Sequence, residues 1–145
     1  MPTRHLSLRL ESETLDRLDA QSRQTQQSRS QLVKTIVEEG LRMTAHPGIV
    51  FRSGPAGRRP GLVAGPDIWE VVRVIRDEEA PNAESLQRAA DLTGLTHAQV
   101  ETAWRYYVDY ADEINKWVRR VDEEADRAEA AWRRLPTTDK RRSFS

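Results

Sequence analysis

Nucleophilic, redox and metal chemistry each need particular side chains brought together, and this chain offers few of them. It has no cysteine, and its three histidines, His5, His46 and His97, fall in different parts of the sequence. Without cysteine there are no disulfides and no thiolate metal sites, which points to a reducing cytoplasm. Two acidic runs, Asp77-Glu78-Glu79 and Asp122-Glu123-Glu124, have the composition of a cation site. Consecutive carboxylates on a helix point in different directions, so both read as solvated faces. The glycines beside Arg58 and Arg59 lack the spacing and the lysine of a phosphate loop. The expectation is a chain with no catalytic residue, no metal and no cofactor, which works by binding.

Composition bears on what it binds. Of 145 residues, 37% are hydrophobic and 32% charged, lean for a single compact monomer of this size. Small helical units that complete their cores against a partner chain fit better. Lys and Arg number 23, as do Asp and Glu, so the formal net charge is zero. That balance leaves nucleic-acid binding open, because the field at a face depends on local arrangement. Many acids gather late in the chain, around Asp122-Glu123-Glu124-Ala125-Asp126. The opening Met-Pro-Thr-Arg-His has no apolar leader core, and no stretch approaches the ~20 apolar residues of a membrane span. A cytoplasmic protein with no membrane partner is expected.

The first 45 residues are the most informative. Leu6, Leu8 and Leu10 alternate with His5, Ser7 and Arg9, the period of a strand with one buried face. Ser12, Glu13 and Thr14 then open a helix carrying Leu15 and Leu18. A polar run over residues 21–27 breaks the pattern. Ser28 is placed to cap a second helix with Leu32, Val33, Ile36, Val37 and Leu41 along one face, and Gly40 reads as a close helix crossing. The strand has no pairing partner nearby, and an isolated edge exposes unpaired backbone groups. The simplest remedy is a second copy, forming a two-stranded antiparallel ribbon across a twofold axis.

Taken together, Leu6-Ser7-Leu8-Arg9-Leu10, Leu15-Asp16-Arg17-Leu18 and Ser28-Arg29-Ser30-Gln31-Leu32-Val33 resemble the ribbon-helix-helix repressors of the Arc and MetJ type, over residues 3–44. The resemblance implies that the ribbon enters the major groove of double-stranded operator DNA. Leu6, Leu8, Leu10, Leu32 and Ile36 would then form the dimer core, and His5, Ser7 and Arg9 would face the bases. Arg9 leads as the discriminating residue, because a guanidinium can bind guanine O6 and N7 together. Ser28, Arg29 and Ser30 would offer a helix N-terminus to a phosphate, with Arg4 and Arg29 adding ionic contacts. The stretch Thr25-Gln26-Gln27 departs from the Gly-plus-apolar turn frequent in that family.

Residues 46–118 read as a second domain. His46-Pro47-Gly48 ends the second helix, Ile49-Val50-Phe51-Arg52 reads as a strand, and residues 53–57 as a turn. Residues 58–63 return as an edge strand containing Pro60, with Arg58 and Arg59 at the tip facing a protein partner. Asp67 is placed to cap a helix with Ile68, Trp69, Val71, Val72, Val74 and Ile75. Ala89-Ala90-Asp91-Leu92-Thr93-Gly94-Leu95-Thr96, followed by Gln99-Val100, has the layout of a helix-turn-helix, in which Thr96, His97 and Gln99 could touch a groove. With Gly48-Ile49-Val50-Phe51-Arg52 and Asp67-Ile68-Trp69-Glu70-Val71-Val72, this segment resembles domain of unknown function 433, common in bacterial antitoxins. That resemblance implies a PIN-like ribonuclease toxin as partner.

From Trp104 an apolar or small residue recurs in steps of three and four: Trp104, Tyr107, Ala111, Ile114, Val118, Val121, Ala125, Ala128, Trp132 and Leu135. Such a repeat makes a narrow seam for another helix. Read as one helix over residues 96–135, it would be about 50–60 Å long at ~1.5 Å per residue. Trp104, Tyr107, Ile114, Trp117, Val118, Val121, Trp132 and Leu135 are the expected toxin-binding residues. Arg133 and Arg134, with Arg141 and Arg142, are candidates to enter an acidic nuclease site. The expected organisation is mainly α: a ribbon-helix-helix domain for DNA binding and dimerisation over residues 1–45, a hairpin plus helix-turn-helix-like domain over 46–118, an extended helix over 119–136, and a flexible tail over 137–145. The functional expectation is a type II antitoxin that neutralises its toxin and represses its own operon, located with the nucleoid when bound. The alternative is a stand-alone ribbon-helix-helix repressor or partition-type protein with a C-terminal oligomerisation domain.

Overall fold

The computed structural model describes residues 2–76 and 81–136. The chain is mainly helical and divides into two compact units, Met1–Ala45 and His46–Ser145. Its elements are α1 (Ser12–Thr25), α2 (Arg29–Ala45), β1 (Ile49–Gly54), β2 (Gly57–Leu62), α3 (Ile68–Ile75), α4 (Ala83–Thr93), α5 (His97–Asp109) and α6 (Ala111–Arg134). Among the described residues no helix is long and apolar enough to cross a membrane. The acidic run Asp77-Glu78-Glu79 and the tail from residue 137, with Lys140, Arg141 and Arg142, lie outside the described residues.

In the first unit a three-residue corner joins α1 to α2. Gln26 takes the left-handed conformation, φ 55°, that glycine adopts without strain. Its N–H donates to the Arg23 carbonyl at 3.4 Å and that of Gln27 to the Ser22 carbonyl at 3.2 Å, so the helix end is closed without a glycine. Ser28 Oγ accepts from the Gln31 N–H at 3.1 Å, capping α2. Two expected features are not seen in the single chain. Residues 2–11 form no strand in the single chain. A strand exists only with a neighbour to take its backbone hydrogen bonds, and no segment of this unit supplies one. Within the single chain Gly40 marks no close crossing either: a Cβ built there meets nothing within 4 Å.

The second unit is self-contained. β1 and β2 pair antiparallel, with Ile49 opposite Leu62 and Phe51 opposite Pro60. Ile49 and Leu62 are buried with Ile68, Val71, Val72 and Ile75 of α3, Ala89 and Ala90 of α4, Val100, Ala103 and Tyr106 of α5, and Ile114 of α6. Helix ends are closed locally. Asn82 accepts the Ser85 N–H at 3.0 Å, Gly94 is left-handed at φ 73°, and Thr96 and Gln99 form a reciprocal capping box.

Asp67 holds the hairpin to this core. It heads α3 in a capping box with Glu70. Its carboxylate also accepts from Arg52 Nη1 at 3.2 Å, from Arg59 Nε and from Trp69 Nε1 at 3.3 Å. Arg59 is therefore turned inward rather than presented at the hairpin tip. Arg58 likewise folds onto the hairpin, donating to Ser53 Oγ at 2.8 Å. One buried carboxylate thus accepts from two guanidiniums and an indole at the start of a helix.

The expected single long helix is broken at Tyr110, whose φ of −128° and ψ of 36° end α5 and begin α6. Aromatic packing accompanies the break: Tyr110 lies 4.7 Å from the Tyr106 ring and 6.0 Å from His46. His46 also meets Asp109 Oδ2 at 2.8 Å. The redirected α6 packs against α3 and places Ile114 and Val118 in the interior at 0% exposure. Burying these two β-branched side chains is worth about 1.5–3 kcal/mol each, which a straight rod would forgo.

Replacing Asp67 with Ala should destabilise the second unit by about 2–3 kcal/mol. That is below the ~3–5 kcal/mol of a fully buried broken pair, because Arg52 and Arg59 remain 33% and 29% exposed. Urea unfolding followed by tryptophan fluorescence should show the midpoint fall, with Arg58→Ala, at the exposed tip, close to wild type.

Candidate nucleic-acid interface and partner surfaces

Residues 2–10 carry Arg4 and Arg9 and no carboxylate, so this arm is locally positive in a chain of zero net charge. All of these residues are exposed. His5 Nε2 and Ser7 Oγ are 2.9 Å apart, as alternate residues on one side of an extended backbone can be. The intervening leucines have no cover: Leu6 is 80% exposed and Leu8 72%.

The start of α2 behaves differently from the sequence expectation in one respect. Arg29 is clamped by Asp19 of α1, with Nε on Oδ1 and Nη2 on Oδ2, each at 2.8 Å. This bidentate pair fixes the angle between the helices and withholds the Arg29 side chain from an easy phosphate contact. The backbone N–H groups of Arg29 and Ser30, in the first turn of α2, have no intrahelical acceptor and still point out of the helix end. Nothing in the sequence pattern signalled the clamp, since ten positions separate its partners.

The apolar face of the first unit is open. Leu32 is its one buried side chain among the described residues. Ile36 is 51% exposed, and Val33, Val37, Leu41 and Met43 are exposed with it. Of the expected dimer core, Leu6, Leu8, Leu10 and Ile36 thus face solvent in a single chain. Val33, Val37 and Leu41 belong to the same surface by their three-and-four spacing, which the sequence already displayed.

The helix-turn-helix-like segment has little to offer DNA. Thr96 and Gln99 are engaged with each other, Gln99 N–H on Thr96 Oγ1 at 3.1 Å and Thr96 N–H on Gln99 Oε1 at 2.9 Å. Arg105, on the outer face of α5, is paired with Glu101. Val100, Ala103 and Tyr106 of this helix are core residues. A helix used from the inside, with Glu101, Arg105 and Asp109 outside, lacks the basic footprint of a groove reader.

Of the residues expected to meet a toxin, Ile114 and Val118 are withdrawn by burial in their own unit. Trp104 and Tyr107 are half-buried against the core, with their rings 5.2 Å apart, and Tyr107 Oη donates to Asn115 Oδ1 at 2.9 Å. Trp117 is half-buried beneath the Arg120 guanidinium, 5.4 Å from the ring centroid. Val121 is half-buried. Trp132 and Leu135 stand free at 74% and 61% exposure. Arg133 pairs with Glu129, and Arg134 is exposed. Among the described residues no three His, Asp or Glu side chains are placed to hold a metal ion.

Comparison with protein-family models, with curated proteins and with solved structures gives no match. The functional reading therefore rests on the chain's own residues.

An open apolar face on so small a unit should be covered by a second copy. Sedimentation equilibrium at micromolar concentration is expected to give about twice the 16.6 kDa chain mass for wild type. Ile36→Asp, which places a charge in that face, is expected to sediment as the single chain.

Proposed function

We propose that this protein is a ribbon-helix-helix DNA-binding antitoxin: a homodimer that represses its own operon through residues 4–10 and neutralises a partner toxin through its C-terminal half. The observation that carries the reading is the arm itself. Three exposed leucines alternate with His5, Ser7 and Arg9, next to a helix pair whose apolar face is also uncovered. Two copies of the arm, paired antiparallel about a twofold axis, satisfy one another's backbone groups and bury Leu6, Leu8 and Leu10 with Ile36 and Leu32. The alternation then turns His5, Ser7 and Arg9 of both copies to the other side of the ribbon, which has the width a major groove admits.

Roles follow from chemistry. Arg9 makes the bidentate contact to a guanine edge, Ser7 donates or accepts, and His5 adds a contact set by its protonation. Arg4 holds a phosphate, and the N–H groups at the start of α2 hold another. Asp19 keeps Arg29 in place as part of the scaffold. The toxin half rests on the end of α6, where Trp132 and the following Leu135 are exposed. A PIN-like ribonuclease is the partner class that the resemblance of residues 46–118 implies.

The deciding experiment is a mobility shift on the DNA upstream of the protein's own gene. Wild type should bind specifically, with affinity falling by an order of magnitude or more between roughly 50 and 200 mM salt. Arg9→Ala should lose about 1–3 kcal/mol per protomer and discriminate poorly between operator and scrambled DNA. A folded wild-type dimer that does not bind this DNA overturns the reading. Co-expression with the product of the adjacent reading frame should yield a stable complex lacking nuclease activity.

A further inference from the structure

The unit that carries the arm is nearly neutral: residues 2–45 contain seven Lys and Arg against six Asp and Glu. Its grip on a polyanion therefore depends on which cations are free to act. Two kinds of ion pair occur there among the described residues. Arg17–Glu13 and Arg42–Glu38 join residues four apart on one helix, a type that contributes little on an exposed surface. Arg29–Asp19 joins α1 to α2 across ten positions, with Nε on Oδ1 and Nη2 on Oδ2, each at 2.8 Å. Two parallel bonds to one carboxylate are the strong geometry for a guanidinium. The fold also keeps the two groups together, so a phosphate from outside competes with a partner already in place. Arg29 stands in the first turn of α2, beside the N–H groups to which the proposed function gives a phosphate, and its side chain is 57% exposed. Position and exposure suit a backbone contact; the carboxylate beside it offsets the charge.

We propose that Asp19 is a positioning residue that limits the sequence-independent grip on DNA: it holds Arg29 off the phosphates, so that the pair adds nothing to backbone binding and the arm decides the site. The inference deepens the DNA-binding half of the proposed function and rests on it. A weaker hold on any duplex leaves less of the protein on the many competing non-specific sites of a genome. A clamp can also act in the opposite sense, as a buttress. With Nε and Nη2 held, Nη1 would be presented to a phosphate, and Arg29 would then be a working contact. The two senses differ in sign when the charges are removed, because each phosphate neutralised adds about 0.9 to the slope of log affinity against log salt.

The test measures binding of the full-length protein to a random-sequence duplex and to the DNA upstream of its gene, by fluorescence anisotropy between roughly 50 and 200 mM salt. Asp19→Asn should bind both duplexes more tightly than wild type, with a salt slope steeper by about 1.8 for a dimer that gains one contact per protomer. Its advantage should then shrink by roughly tenfold across that range. Asp19→Asn combined with Arg29→Gln removes both charges and should match wild type in affinity and slope. A shallower slope for this neutral pair means that Arg29 already works on a phosphate in wild type, and it overturns the proposal. An Asp19→Asn slope equal to that of wild type overturns it too. Circular dichroism and sedimentation check that each variant is a folded dimer; if Asp19→Asn is not, the neutral pair alone decides. The random duplex separates this inference from operator reading. Wild type that prefers its upstream DNA while the variants fail these slopes sinks the clamp and leaves the reading standing. Wild type without that preference sinks the reading, and the random duplex still shows whether Asp19 restrains Arg29. Absence of binding by both wild type and Asp19→Asn overturns both.

Discussion

Two helices joined by a tight corner can bury only what lies between them, and in residues 2–45 that is little more than Leu32. Leu6, Leu8, Ile36, Val37 and Leu41 remain in water, where each forgoes about 1.5–3 kcal/mol that full burial would return. A folded unit of this size is marginal even with a complete core. The uncovered leucines and the uncovered face of α2 are therefore one constraint seen twice. In the proposed dimer a second copy meets it by pairing the arms and the helix faces together. The proposed reading of DNA depends on that pairing, because only a paired ribbon fixes which way Arg9 points.

The second unit shows what a self-sufficient core looks like in the same chain. Buried side chains from four helices and a hairpin form one core, and buried Asp67 is matched with Arg52, Arg59 and Trp69. The break at Tyr110 belongs to this economy. It turns Ile114 and Val118 inward and leaves the later turns of α6 uncovered. One helix thus serves first as core and then as a surface, with the change near Val121.

Local signals were legible in the sequence. Ser28, Asp67 and Thr96 cap helices as their residue types lead one to expect, Gly94 ends α4, and the hairpin pairs around Pro60. What escaped was set by packing between distant residues. The three-and-four repeat runs unbroken through Tyr110, so periodicity alone could not show that the chain bends there or that Ile114 and Val118 enter the core. Arg29 and Arg59 read as free cations until Asp19 and Asp67 are brought beside them. Gln26 occupies a left-handed position that glycine would have announced. The arm at residues 4–10 is the opposite case. Its alternation is plain in the sequence, but the single chain forms no strand there, and in the proposed dimer the hydrogen-bond partner is another copy.

The absence of native cysteine makes the central claim directly measurable. Single cysteines placed in turn at residues 5–10 can be oxidised and the crosslinked dimer measured on a gel. In an antiparallel ribbon about a twofold axis, a residue at the axis faces its own copy with Cβ atoms about 4.5–5.5 Å apart. Separation then grows by roughly twice the 3.3 Å rise for each residue away. The account requires one position, or two adjacent ones, to crosslink efficiently, with yield falling steeply on either side. Uniformly low or flat yields along the arm would contradict it.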